Sequence, residues 1–278
     1  MHTLTGVADA AWALKVDAPE EDDDVPGRAT CRVGGVTYEA RGLLGRGARA
    51  DVFLAARVRR PTELVVIKAL REPCASAKDG ALLEFARLCR AASGDAAGAA
   101  FFTTLVPQPV TAGVLERPGG EARHALVYRW RSGFQHTLED VRRAYPGGVD
   151  GRTVVWMWRR ILELLAWLHA SGVAHGAVVP EHVLVHPRHH GAVLVGWSRA
   201  VVDDRVQRSR DVAMSARAAL HVTVPESLPA SLRDLLLRTA EGAREEADAG
   251  ALSGAVLAAA TDAYGPPSFH PFVMPGWE

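Results

Sequence analysis

The chain has 278 residues, 48% hydrophobic and 23% charged, a composition that suits one or two packed globular domains and excludes a disordered, collagen-like or membrane-spanning protein. Thirty-two basic side chains balance thirty-two acidic ones, so no overall positive field exists to draw the protein onto nucleic acid or an anionic membrane. Cys31, Cys74 and Cys89 form neither a disulfide framework nor a CxxC zinc pattern, and the first residues lack the basic start and long apolar run of a signal peptide. The expectation is a reducing cytoplasm. Of the thirty-two basic residues only Lys15, Lys68 and Lys78 are lysines, which draws notice to the one that falls within a strand.

In chain order, residues 1–28 end in APEEDDDVPG, whose clustered carboxylates repel and whose prolines interrupt a helix, and they read as a mobile acidic lead-in. The fold is expected to begin near Ala29. ATCRVGGVTYEARGLL reads as two strands around Gly34-Gly35, and DVFLAARV and ELVVIKAL have the β-branched, apolar character of two more. DGALLEFARLCRAA then changes to helical period, with Leu82, Phe85, Leu88 and Cys89 on one face. A further strand pair flanks Gly119-Gly120 and ends in HALVYRW.

From Thr137 the pattern is mainly helical. TLEDVRRAY is a short helix stopped at Pro146-Gly147-Gly148, and RTVVWMWRRILELLAWLHASG is a long one, apolar almost all round, ending at Gly172. HVLVH and GAVLVGW, joined by PRHHG, suit a hairpin; 211–221, 229–241 and 244–263 are helix candidates, and YGPPSFHPFVMPGWE closes the chain. The predicted organisation is a lead-in at 1–28, a β-rich domain with one main helix at 29–130, a helical domain at 131–265 and an aromatic tail at 266–278. That order of elements is an α+β plan with two lobes.

The segments and their order resemble a protein kinase. Leu44-Gly45-Arg46-Gly47-Ala48-Arg49-Ala50-Asp51-Val52 is similar to the glycine-rich loop G-x-G-x-x-G-x-V, with Ala50 at the third glycine, and Val65-Val66-Ile67-Lys68 is similar to V-A-I-K. Glu84 on the following helix is the carboxylate to pair with that lysine. His175-Gly176-Ala177-Val178-Val179-Pro180-Glu181-His182-Val183-Leu184 stands where the catalytic loop would be, Gly196-Trp197-Ser198 where D-F-G would be, and Asp211 where the family has an aspartate that steadies the catalytic-loop backbone. The resemblance implies a kinase-like fold of two lobes, a small β-rich one and a reduced helical one. It also implies a nucleotide-facing set made of Gly45, Arg46, Gly47, Arg49, Val52, Val66, Lys68, Glu84 and Leu184.

Phosphoryl transfer needs positioned charge and magnesium, and the positions that supply them are changed. Ala177 stands at the catalytic aspartate, Val179 at the loop lysine, and His182 and Gly196 at the two metal ligands. Mg²⁺ prefers hard oxygen ligands in octahedral geometry, so an imidazole is a poor substitute and a glycine none. With four such roles emptied, the expected reading is a pseudokinase of the serine/threonine kinase-like type. Only fourteen residues, Trp197 to Arg210, precede Asp211, which leaves little room for a peptide-docking ledge. Gly176 also removes the arginine that reads an activation-loop phosphate. The short segment and Trp197 resemble small-molecule kinases of the aminoglycoside phosphotransferase type, and H-G-A-V-x-P-E-H with H-G-x-V-L-V-x-W and the terminal P-F-x-M-P resembles a set of divergent bacterial kinase-like domains.

Alternatives stay open at this stage. Lys68 with Glu84 either holds nucleotide phosphates or orients the fold as an ion pair, and Arg46 and Arg49 either replace magnesium as counter-charge for ATP or another nucleotide or point into water. Val66 argues against adenine where a smaller alanine would leave space. His182, His186, His189 and His190 read as turn residues rather than a zinc site, and His175, with Trp197 and Leu88, as a packing stack. Trp156, Trp158 and Trp167 read as core. The tail either packs on its own domain or anchors a partner. The functional expectation is an interaction or allosteric module with a protein partner; the alternative is an atypical phosphoryl- or nucleotidyl-transferase whose site has migrated to Asp203, Asp204 or Glu181.

Overall fold

The computed structural model describes residues 29–72, 74–242 and 247–275; the acidic lead-in and Trp277 of the tail lie outside them. The described residues form two compact units, one made of those up to Ala86 with Gln108–Arg131, the other of Arg87–Pro107 with Ser132 onward. The division differs from a single cut near residue 130. Residues of 87–107 pack with the helical unit: Phe102 stacks on Trp167 at 5.8 Å, and the Trp167 indole donates to the Ala96 carbonyl at 3.3 Å.

In the first unit, strands β1 (Thr30–Val33), β2 (Val36–Arg46), β3 (Ala50–Arg57), β4 (Arg60–Leu70), β5 (Pro109–Glu116) and β6 (Arg123–Arg129) form a closed antiparallel barrel in the order β1-β2-β3-β4-β6-β5. Alternation decides which side chains enter it. Val65, Ile67 and Ala69 of β4 point inward with Phe53 and Ala55 of β3, Ala125 and Val127 of β6, Val33, Tyr38 and Leu115, which puts Val66 and Lys68 on the opposite face. Closure comes from β1 lying against β5, with Arg32 opposite Glu116 and Val33 opposite Leu115. A closed sheet leaves no unpaired edge.

Helix α1 (Cys74–Ala92) follows β4. Its buried positions are Ala81, Glu84, Leu88 and Ala91, whereas Leu82 is 48% exposed, so the face expected from Leu82, Phe85, Leu88 and Cys89 is rotated. The cause is an ion pair: Glu84 turns inward to Lys68, and the leucines at 82 and 83 turn out.

In the second unit α2 (Ala99–Phe102) leads to β7 (His136–Thr137) and α3 (Leu138–Ala144), which starts with a capping box between Thr137 and Asp140. Helix α4 (Gly151–Ala170) is buried on most sides, Trp156, Trp158 and Trp167 included, and stops at Gly172 with φ 80°. After β8 (Val173–Ala174), strands β9 (Val183–His186) and β10 (Gly191–Leu194) form the expected hairpin, widened by β7 to three strands in the order β10-β9-β7. β11 (Val201–Val202) pairs with β8.

Helices α5 (Arg205–His221), α6 (Ala230–Glu241) and α7 (Ala249–Tyr264) complete the unit, with α4 packed against α5 and α7. α5 starts before residue 211 because Asp204 caps it, accepting from the Gln207 amide. α7 starts at 249 rather than 244, capped by Asp248.

The tail packs on its own unit. Phe272 and Met274 are buried, and the Tyr145 hydroxyl donates to the Val273 carbonyl. His190 departs from a solvated turn: with φ 49° its ring is carried between Trp156 and Phe269, 4.3 Å from each.

The rotated face of α1 has a measurable consequence. Leu88→Ala is expected to cost about 2–5 kcal/mol in denaturant unfolding, and Leu82→Ala less than about 0.5 kcal/mol, as at an ordinary surface position.

Candidate functional site

The candidate residues fall into two groups, one in each unit. In the first, register aligns Gly45 of β2 opposite Val52 of β3, Val52 opposite Lys68 of β4, and Lys68 opposite Leu126 of β6. This row crosses four strands on the face away from the barrel interior. Lys68 Nζ donates to both Glu84 carboxylate oxygens, at 2.6 and 2.8 Å, as sequence phase indicated. A Cβ on Gly45 would meet nothing within 4 Å, so the sheet surface beside the row is open there.

The β2–β3 turn closes with the Gly47 amide donating to the Ala50 carbonyl at 2.9 Å. Arg46 is exposed at its tip, but Arg49 is committed to Glu72 at 3.0 Å. Of the two alternatives for these arginines, Arg49 takes neither outright: it is exposed and paired with Glu72. Asp51, at the start of β3, is held by Arg71 at 2.6 Å and Arg123 at 3.2 Å. Burial works to raise its carboxyl, and the two guanidiniums hold it below the ordinary value.

Tyr128 belongs to this surface and was missed in the sequence. It lies opposite Val66, and its hydroxyl is 3.5 Å from Glu84 Oε1. Burial and the neighbouring carboxylate push its phenol well above the usual value, so it stays a neutral donor. Two bulky side chains, Val66 and Tyr128, therefore sit side by side next to Lys68. The signal was available: Tyr128 shares the outward face of β6 with Leu126 by simple alternation.

In the second unit everything turns on Asp211 of α5, which is fully buried. Its carboxylate accepts from the His175 amide at 2.6 Å and the Gly176 amide at 2.8 Å, with His169 and Gln207 each at 3.3 Å. The backbone-steadying role implied by the kinase resemblance is thus present in the geometry. His175 packs edge-on to Trp197 at 4.7 Å, and Trp197 donates to the Leu194 carbonyl at 2.9 Å. Burial lowers the His175 pKa to about 4, with Asp211 opposing that shift.

The positions that would carry chemistry are filled by other means. Ala177 is buried, and its carbonyl lies 2.9 Å from His182 Nδ1, so that nitrogen carries the proton and donates. A Cβ on Gly196 would lie 2.6 Å from His182 Cε1 and Nε2, and Gly196 has φ +81°. The imidazole at 182 and a side chain at 196 compete for one space. A Cβ on Gly176 would lie 2.3 Å from the Arg199 carbonyl, so an arginine does not fit there either. Val179 precedes a 3-10 turn, Pro180–His182, and Leu184 of β9 lies opposite Val193 and Thr137.

The three substitute carboxylates stand apart in their surroundings. Asp204 caps α5, and Asp203, with φ 55°, is 80% exposed and 3.4 Å from Arg208. Glu181 is exposed. His186 stacks with His189 at 4.2 Å, and among the described residues no three His, Cys, Asp or Glu side chains gather as a metal site.

Two outcomes follow. Asp211→Ala strands the His175 and Gly176 amides and is expected to cost about 2–6 kcal/mol in chemical unfolding, given about 1–3 kcal/mol per unsatisfied group. For His175, whose pKa falls from 6.5 to about 4 on folding, the unfolded chain binds the proton first as pH drops. Stability is therefore lost across that window, by roughly 3 kcal/mol at pH 4. His175→Phe should flatten the slope of unfolding free energy between those pH values.

No protein-family model matches the chain, and no curated protein matches it. Solved structures do. The BubR1 kinase domain is 12% identical, with 93% of this chain and 91% of that one covered at a TM-score of 0.61. Vaccinia related kinase 3 is 14% identical over 87% of this chain and 92% of that one, with a TM-score of 0.59. The likeness establishes the fold: it is α+β and kinase-like.

Proposed function

We propose that this chain is a pseudokinase, a kinase-like protein that does not transfer phosphate and serves as an interaction or allosteric module for a protein partner. The observation that carries the reading is the interlock of His182 and Gly196. Both stand at metal-ligand positions of the kinase pattern, and the ring of one fills the space that a carboxylate on the other would occupy, 2.6 Å from its Cβ. Single reversion at 196 therefore does not rebuild an oxygen ligand. With His182 Nδ1 donating to the Ala177 carbonyl, a methyl group at 177 and no side chain at 196, these positions carry no carboxylate base and offer Mg²⁺ no oxygen ligand.

The devices that keep shape are in place. Asp211 and the Lys68–Glu84 pair are intact, so selection on form without turnover accounts for what is kept and what is replaced. Eight residues, 197–204, separate Gly196 from α5, and β11 within them is committed to β8. A peptide substrate has little there to lie on. Nucleotide held at the first unit would rely on Lys68 and Arg46 without a metal, beside the bulk of Val66 and Tyr128. The migrated-site alternative draws less support, since Asp204 is a helix cap and Asp203 pairs with Arg208.

ATP turnover with Mg²⁺ or Mn²⁺ should equal that of a Lys68→Ala control, and metal-dependent turnover above it would overturn the reading. In thermal-shift measurements with nucleotides, a metal-dependent shift reopens catalysis, a metal-independent one supports a nucleotide-biased module, and no shift supports a scaffold alone. Gly196→Ala should cost about 1–3 kcal/mol. Combined with His182→Ala it should cost about 1 kcal/mol less than the sum of the two, because the clash is gone.

A further inference from the structure

One end of the first unit's barrel is left open by the side chains of the described residues. At the end where β1 begins and β5 finishes lies a cavity of about 200 Å³, lined by Cys31, Ala40, Phe53, Ala55, Ile67 and Leu115, with Arg117 beside them. Its origin is a register effect. Ala40 of β2 and Ala55 of β3 are direct cross-strand partners, so neighbouring strands present methyl groups where larger residues would meet. Protein interiors leave few voids larger than a water molecule, and an apolar cavity of about 150 Å³ is enough to take up benzene.

Arg117 gives the hollow a polar end. Its Nε is buried without a partner among the described residues. The side chain lies back over the β5–β6 turn, where a Cβ on Gly120 would come within 2.1 Å of that nitrogen. Glycine at 120 thus makes room for the arginine stem in this position. Its charge reaches the hollow: Cys31, mostly governed by burial, also feels the Arg117 guanidinium. Among the described ion pairs the neighbouring Glu116 faces Arg32 on the outside of the barrel seam, at 4.0 Å.

We propose that this end of the barrel is a binding site for a compact apolar carboxylate, with its hydrocarbon in the Ala40–Ala55 hollow and its carboxylate on Arg117. An aryl or short-chain acid of about ten heavy atoms suits the space, and a guanidinium fork suits a carboxylate better than an alcohol or an amine. The site lies wholly in the first unit and stands apart from the question of phosphoryl transfer.

The test uses the full chain with 3-phenylpropionate, 3-phenylpropan-1-ol and 3-phenylpropylamine, followed by calorimetry and amide chemical shifts. The acid should bind saturably and move the amides of Cys31, Ala40 and Ala55, the alcohol about tenfold more weakly and the amine not at all. Arg117→Met should bring the acid down to the affinity of the alcohol and leave the alcohol unchanged, and Ala55→Leu should abolish binding of both. If Ala55→Leu fails to fold, the Arg117→Met comparison decides. Equal acid affinity in wild type and Arg117→Met, shifts confined to other residues, or no saturable binding because water or the chain's own residues before Ala29 hold the hollow, would each overturn the proposal.

Discussion

The second unit depends on one buried carboxylate. Asp211 has no exposure to water and accepts two main-chain amides from the His175–Gly176 turn. A charge in that position is tolerated only while those donors face it. The requirement fixes where α5 stands relative to the segment after α4, and it holds the turn from which Ala177 and His182 project. Burial and not Asp211 keeps His175 neutral: the ring is packed against Trp197 with no water to solvate a charge, and proximity to Asp211 offsets burial only in part. The same carboxylate would serve an active kinase equally well, so its presence speaks to shape and not to turnover.

Chemistry and scaffold separate cleanly here because they rest on different atoms. Scaffold contacts use main-chain amides, a lysine–glutamate pair and aromatic packing, none of which needs an acceptor base or a metal. At the positions where the kinase pattern has a catalytic aspartate, a loop lysine and two metal ligands, this chain has Ala177, Val179, His182 and Gly196. The replacements fit each other: the His182 ring occupies the room vacated at Gly196, and the Arg199 carbonyl approaches Gly176 to within 2.3 Å of where a Cβ would be. Such mutual fit opposes a side chain at 176 and at 196, where the left-handed backbone disfavours one as well.

Much of this was legible in the sequence, for identifiable reasons. The β-branched run ending in Lys68, one of three lysines in the chain, marked a strand carrying a charge, and the helix after it supplied Glu84 as a partner. Closure of the barrel was not legible, because the β1–β5 pairing joins segments far apart in the chain and no local pattern encodes it. The face of α1 was misread because apolar periodicity counts Leu82 as core, whereas the ion pair at Glu84 sets the rotation. His190 looked like a solvated turn residue by composition; only its left-handed backbone puts the ring against Trp156. Tyr128 went unnoticed since its meaning depends on lying opposite Val66, a fact of register. The contest between His182 and Gly196 was invisible for the same reason: the residues are separated by a hairpin that folds them together.

The most direct measurement of the central claim is paramagnetic broadening by Mn²⁺ in the presence of ATP, read at the amides of Ala177, His182 and Gly196. The account requires these signals to stay sharp through the titration, because no oxygen side chain stands at 177, 182 or 196 to ligate a cation. Selective, saturable broadening at those three amides, unaffected by the Lys68→Ala substitution, would contradict it.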